Sequence, residues 1–385
     1  MPIPVENESD PSTDVSPPTV RPSNANSPVR TVLNSTRRRL GFLVVILLAT
    51  GLLMFFVFVR PRLDRQNISN RINKTARVFR GLKGDTWSLA FTPDGQHIAS
   101  PSGNSVELRA VTSGRLIRSL DGHTKSVMRI AISPDGQQLA STSMDQTIRL
   151  WDIGTGETLQ TLEGHTNSVL AVAFSPDGKL LASASRDHSA KLWELATGKV
   201  LHSYESTSGF VVDVAFSPDG KHIATAASFR PFKMGDKTVI LKEPGEINLW
   251  EIQTGTSILS LKGHDSAIVG VDFSPDGKHL VSISRDKTAK LWNVATGKQV
   301  HTFTGHEDFV VGVAFSPNGR QLATSSDDGT VRLWNTHTGG ELLSISAHQN
   351  GTFCVRFSPN GHQLAAGGFS MVTLWDLEFL NLPSR

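Results

Sequence analysis

Four histidines set the chemical question. Gly-His pairs end at His123, His165, His264 and His306, and 22 residues after each comes an aspartate, Asp145, Asp187, Asp286 and Asp328. Six residues further stands a tryptophan, Trp151, Trp193, Trp292 and Trp334. With the serines in between, the set resembles an acyl-transfer triad, in which imidazole takes a hydroxyl proton and a carboxylate orients the imidazole. Four histidines could also suggest a metal site. Neither chemistry fits the spacing. Catalysis needs one convergent site, whereas this trio returns four times with a tryptophan attached, and no G-x-S-x-G turn is present. Each histidine belongs to a different repeat that carries its own aspartate, and the single cysteine, Cys354, permits no thiolate cluster and no internal disulfide. No catalytic residue, metal or cofactor is expected.

These residues are positioned by a repeated unit. The stretch "AFSPDGK" at 173–179 recurs, read off its proline, at Pro93, Pro134, Pro176, Pro218, Pro275, Pro317 and Pro359, with gaps of 41, 42, 42, 57, 42 and 42 residues. A period of this length, rather than chain length, decides the architecture. In the copy from Gly164 to Tyr204, Val169 to Phe174 reads as a strand with small or apolar residues on both faces. "SPDG" reads as a tight turn, with strands at 180–185, 190–195 and 199–204 following. A four-stranded antiparallel sheet apolar on both faces must stack on copies of itself. Seven copies around an axis bury every face, so the expected fold is all-β, a seven-bladed β-propeller. The last repeat has no room for a fourth strand after "VTLWDL" at 372–377. The segment "TARVFRG" at 75–81 resembles the other fourth strands, which predicts that Ala76 to Phe79 closes the ring as the outer strand of blade seven.

The Gly-His, Asp and Trp spacing closely resembles the WD40-repeat family over about residues 75–378, and the near-identical "FSPDGKxLAS" wording is similar to its bacterial, membrane-anchored members. The resemblance implies a structural tetrad in each complete blade: the four His, Asp and Trp sets above, joined by Ser141 or Ser143 and their counterparts. It also implies a non-enzymatic scaffold that binds proteins through its faces. Three repeats depart from the pattern. The first has Leu82, Gly103 and Arg109 at the His, Asp and Trp positions. The fourth has Thr207 for His but keeps Trp250, and the seventh keeps His348 and Trp375 but has Phe369 for Asp. These three blades are expected to rely on packing alone.

Candidate binding residues lie where the period is broken. The 57-residue gap places an insert between the second and third strands of the fourth repeat. Its Phe229, Arg230, Phe232, Lys233, Met234 and Lys237 are of the types enriched at interface hot spots. By the family's geometry it emerges on the face of the Gly-His turns; the plainer reading is an elongated hairpin with 239–241 as strand. Eight residues before the turn proline, Phe210 and Phe309 stand where other repeats have small or polar residues, which suits exposed anchors or inter-blade filling. Arg129, Asp213, Asp272 and Arg356 occupy first-strand positions otherwise held by Ala, Gly or Ser, and are expected to line the central channel.

The N-terminal part reads differently. Residues 1–39, with seven prolines before Arg30 and few large apolar residues, read as a disordered tail. "LGFLVVILLATGLLMFFVFV" at 40–59 has no charge and is long enough for one transmembrane helix. Residues 60–74 read as a basic juxtamembrane linker, and 75–385 as the propeller. Ten Lys or Arg and five Asp or Glu fall within residues 1–74, leaving 28 basic against 30 acidic residues beyond. The basic excess flanks the span and suits lipid headgroups, and no nucleic-acid partner is expected. Positive charges nearly tie across the span, and the short tail ending in "RRRL" favours a propeller outside the cytoplasm. The sequence thus predicts a membrane-anchored scaffold for protein partners; the alternative is a propeller enzyme or small-molecule binder using the central channel.

Overall fold

A computed structural model describes residues 60–207, 209–228, 232–234, 237–239 and 244–377. The expected tail at 1–39 and membrane span at 40–59 lie outside the described residues. Among the described residues no helix is long and apolar enough to cross a membrane.

Each repeat folds as an antiparallel sheet whose first strand lies innermost and fourth outermost, and seven such sheets form a β-propeller. In blade three the strands are Val169–Phe174, Leu180–Ser185, Ser189–Glu194 and Lys199–Glu205. The turn after the first strand recurs because its side chains bond its own backbone. Ser175 Oγ accepts from Leu180 N–H (2.9 Å) and donates to Asp177 Oδ1 (2.7 Å), while Gly178 takes φ 70°. Only glycine adopts that conformation without cost.

Between blades, the second strand of one sheet and the tryptophan of the next share a core: Trp151 packs with Ala99, Val106, Leu108 and Leu120 of blade one. The fold therefore has one hydrophobic layer per blade seam rather than a single centre. The closing strand begins at Arg77 rather than Ala76 and runs beyond Phe79 to Asp85. Strand Arg77–Asp85 pairs antiparallel with the last strand, Arg77 opposite Leu374 and Phe79 opposite Val372. Phe79 also slides beneath the turn of blade one at Gly114, where a Cβ would lie 2.5 Å from the ring. The middle strands of blade seven run as one element, Gln363–Asp376, with Ser370 in the left-handed region at φ 53°.

Residues 60–74 differ from expectation. Read from sequence as a basic juxtamembrane linker, they form part of a helix, Arg60–Thr75, and residues from Arg62 onward belong to the same compact unit as the ring. The cause is an apolar pair one helical turn apart. Ile68 and Ile72 join the core between blades six and seven, with Ile72 only 3% exposed.

Candidate functional site

The four complete blades build the same network. In blade two, His123 Nδ1 lies 2.8 Å from Asp145 Oδ2, and His123 Nε2 lies 2.8 Å from Ser141 Oγ. Trp151 Nε1 donates to that same hydroxyl at 2.8 Å. Of the two serines considered, Ser141 is thus the tetrad member, and Ser143 bonds the backbone carbonyl of Lys125. The counterparts are Ser183, Ser282 and Thr324, met by His165 and Trp193, His264 and Trp292, and His306 and Trp334. Asp187, Asp286 and Asp328 hold the corresponding Nδ1 atoms at 2.7–2.9 Å. Each aspartate also accepts backbone and hydroxyl hydrogens from its own turn, which keeps it ionised; Asp145 is brought down to about 2 although burial opposes this. Burial in turn discourages a charged His123. Every hydroxyl is engaged on both sides, so none is free as a nucleophile, and the networks lock blades.

The three incomplete blades do not rely on packing alone. In blade one, Arg109 occupies the tryptophan position and binds Glu107 (2.6 Å) and the Gly114 carbonyl (3.0 Å), while Ser102 donates to the same glutamate. In blade four, Trp250 donates to Thr225 at 2.8 Å. In blade seven, His348 Nε2 meets Thr373 Oγ1 at 3.0 Å, and the buried Trp375 indole donates to Asn73 Oδ1 at 3.0 Å. The residue ten before Trp375 is Ala365, so no tetrad hydroxyl is present there, and the N-terminal helix supplies the acceptor instead. Asn73 Nδ2 also donates to the Ser346 carbonyl at 3.1 Å. Sequence spacing could not find this partner, which lies 302 positions away.

The four predicted channel residues line one cavity of about 300 Å³. Arg129 pairs with Asp213 across the ring at 3.4 Å. Asp213 Oδ2 accepts the Val271 N–H of the next blade, and Arg356 donates to the Val313 carbonyl of the preceding one at 2.8 Å. Asp272 accepts from the backbone of Phe315; burial pushes its pKa up to about 6, Asp213 adds to the rise and Arg356 opposes it. These charges stitch neighbouring blades together. Ser88 on Ile130, and Cys354 on the Thr86 carbonyl, do the same at other seams.

Above the channel lies a feature that sequence reasoning missed. Six residues before each turn proline stand Trp87, Met128, Leu170, Val212, Val269, Val311 and Phe353, an apolar ring at the mouth. Aligning that position across repeats would have revealed it. Phe309 joins this mouth, with the Arg285 guanidinium 5.3 Å from its ring. Phe210 is half-buried and its ring lies 5.2 Å from that of His188.

The blade-four insert connects the second and third strands, as the Asp145 turn does in blade two, and so leaves the ring on the histidine face. Its described segments, Phe232–Met234 and Lys237–Val239, pair with each other as a separate two-stranded sheet. Phe229, Arg230 and the expected strand residues 240–241 lie outside the described residues, as do the side chains of Phe232, Lys233, Met234 and Lys237.

Among known proteins, the family profile described as WD domain, G-beta repeat, matches residues 114–152, 156–194, 198–241, 255–293, 297–335 and 339–376. An uncharacterised WD repeat-containing protein of Synechocystis is 43% identical over 65 residues, 17% of this chain and 19% of that protein. Nuclear distribution protein PAC1 of Arthroderma otae is 31% identical over 226 residues, covering 56% and 41%. Lissencephaly-1 homolog 1 of Paramecium tetraurelia is 47% identical over 45 residues, covering 12% and 11%. The chain thus spans less than half the length of each of these relatives.

Proposed function

The chain belongs to the WD40-repeat family, and from that premise we propose that it is a non-enzymatic scaffold holding protein partners on the face with the channel mouth. The observation that carries this reading is the contrast between two sets of residues. The tetrad and channel groups are consumed in blade locks and seam stitches, whereas the mouth offers an apolar ring with Phe309 at its edge. An apolar centre rimmed by polar groups is the anatomy of a protein interface. The blade-four connection leaves the ring on the same face, and Phe210, Phe309 and the insert are the parts assigned to docking.

A further part of the proposal rests on sequence alone: the uncharged run at 40–59 anchors the ring in a membrane, with the propeller outside the cytoplasm. Reporters active only inside or only outside the cytoplasm, fused separately to Arg385, test it; signal from the inside reporter reverses the orientation, and a full-length chain free of the membrane fraction removes the anchor. For the docking face, Phe210→Ala and Phe309→Ala are expected to abolish retention of a stoichiometric partner without lowering the melting temperature. A partner retained equally by both variants refutes the choice of face.

A further inference from the structure

One side of the channel mouth already shows how it handles a cation. The Arg285 guanidinium lies 5.3 Å from the centre of the Phe309 ring, so the chain itself fills that position. The other side also presents aromatic rings, and among the described residues no cationic side chain lies over them. Trp87 and Phe353 stack with ring centres 4.3 Å apart and planes at 24°, and Phe369 meets Phe353 edge-on at 5.0 Å. Phe353 is buried, but Trp87 is 40% and Phe369 45% exposed, and no other aromatic side chain among the described residues is as open.

A carboxylate accompanies these rings. Asp327 Oδ1 and Phe353 Cε1 lie 3.6 and 3.1 Å from the point where Gly351 would carry a Cβ, which puts the carboxylate beside the ring. Asp327 lines the same cavity as Trp87 and Phe353. Burial and neighbouring Asp308 raise its pKa, and Arg285, near enough to attract it, opposes the rise without bonding it directly. A second carboxylate, Asp85, stands directly across the closing strand from Phe369. Trp87 and Phe353 belong to the apolar ring of the mouth, and Phe369 reaches them because it occupies the position where complete blades place the capping aspartate.

We propose that the part of the mouth where blades six, seven and one meet is a docking pocket for a basic side chain, arginine or lysine, on an extended segment of a partner protein. The cation would lie against Trp87 and Phe369, with Asp327 as counter-charge. Aromatic faces attract cations through the ring quadrupole, and a nearby carboxylate adds charge complementarity in a partly desolvated place. The inference rests on the proposed docking face and names the chemistry of its partner.

The test uses the full-length protein in detergent and two probes, acetyl-Gly-Arg-Gly-amide and its citrulline counterpart, which keeps the shape and removes the charge. Calorimetric titration is expected to show saturable binding of the arginine peptide, about ten-fold tighter than the citrulline peptide. Asp327→Asn, Trp87→Ala and Phe369→Leu are each expected to weaken the arginine peptide by about ten-fold with little change in melting temperature. Phe369→Leu keeps apolar bulk on an exposed site and so isolates the ring face. Equal affinity for both peptides overturns the proposal, as does arginine binding that survives all three substitutions. If the partner retention tested with Phe210 and Phe309 stands while the arginine probe fails, the docking face holds and the cation pocket alone falls.

Discussion

Replacing Asn73 with alanine tests whether the N-terminal helix is part of the ring. The side chain makes two bonds, accepting from the Trp375 indole at 3.0 Å and donating to the Ser346 carbonyl at 3.1 Å. Trp375 is fully buried, so truncation strands its N–H without water. A buried unsatisfied donor costs about 1–3 kcal/mol, and the lost bond to Ser346, which is exposed, adds about 0.5–1 kcal/mol. A loss of about 2–4 kcal/mol follows. For a ring of some three hundred residues the entropy of unfolding converts each kcal/mol into about 1–2 °C, so the melting temperature should fall by roughly 3–6 °C. Circular dichroism melts of the full-length protein in detergent measure it. Ile72→Ala, which truncates the buried apolar contact of the same helix, provides an independent perturbation and should cost about 2–5 kcal/mol. If both variants melt within a degree of the parent, the helix is not docked as described. A drop for Ile72→Ala alone would leave the helix in place and refute the Asn73–Trp375 bond.

Three other perturbations follow from single residues. The Tyr204 hydroxyl is buried at the seam of blades three and four without a partner among the described residues, so Tyr204→Phe should raise stability by about 1 kcal/mol in denaturant titration; a loss would reveal a bond to an ordered water. Gln146 holds φ 76° without being glycine, and Gln146→Gly should stabilise by about 0.5–1 kcal/mol, whereas destabilisation would mean that its side chain makes up for the strain. Asp272 has a raised folded pKa of about 6, so its proton is held more tightly folded than unfolded. Its stability contribution is complete below the unfolded value and disappears as pH rises through about 6. The swing is about 2–3 kcal/mol at most, since a tenfold difference in proton affinity between folded and unfolded chain is worth about 1.4 kcal/mol. Asp272→Asn should flatten stability between about pH 4 and 7, and an unchanged profile refutes the raised pKa.

The seven-bladed ring was legible because its signals are local and repeated. A turn of the form "SPDG" needs only its own serine and aspartate, and a Gly-His reaches its Asp at a fixed distance along the chain. The closing strand could be read from likeness to the other fourth strands, since Arg77 to Arg80 fill the same register as their counterparts. What failed to show was the repair of the incomplete blades. Asn73 reaches Trp375 from the opposite end of the chain, and Arg109 replaces an indole with a guanidinium that binds Glu107 two residues away. No period contains those solutions, because each answers a single missing group. The apolar mouth was missed for the opposite reason. Met128, Leu170 and Val311 look like ordinary strand residues until the sheets are set around an axis, and only then do they face one opening.

Where the sevenfold pattern is kept, the side chains are spent on holding it. His123, Asp145 and Trp151 satisfy one another, and so do their copies, which leaves those blades nearly interchangeable as surfaces. Distinct recognition must come from places where the pattern is broken, and three such breaks reach the same face. Blade four extends its connection into a hairpin, and blade six brings Phe309 to the mouth beside Asp327. Blade seven trades a capping aspartate for the exposed Phe369. Blades four and seven lose a piece of the lock, while blade six keeps its own and adds Phe309 at the start of its first strand. A partner that reads all three must contact blades four, six and seven together, and so needs the ring closed. The helix that completes blade seven through Asn73 therefore bears on recognition as well as stability, because detaching it loosens the sheet that carries Phe353 and Phe369.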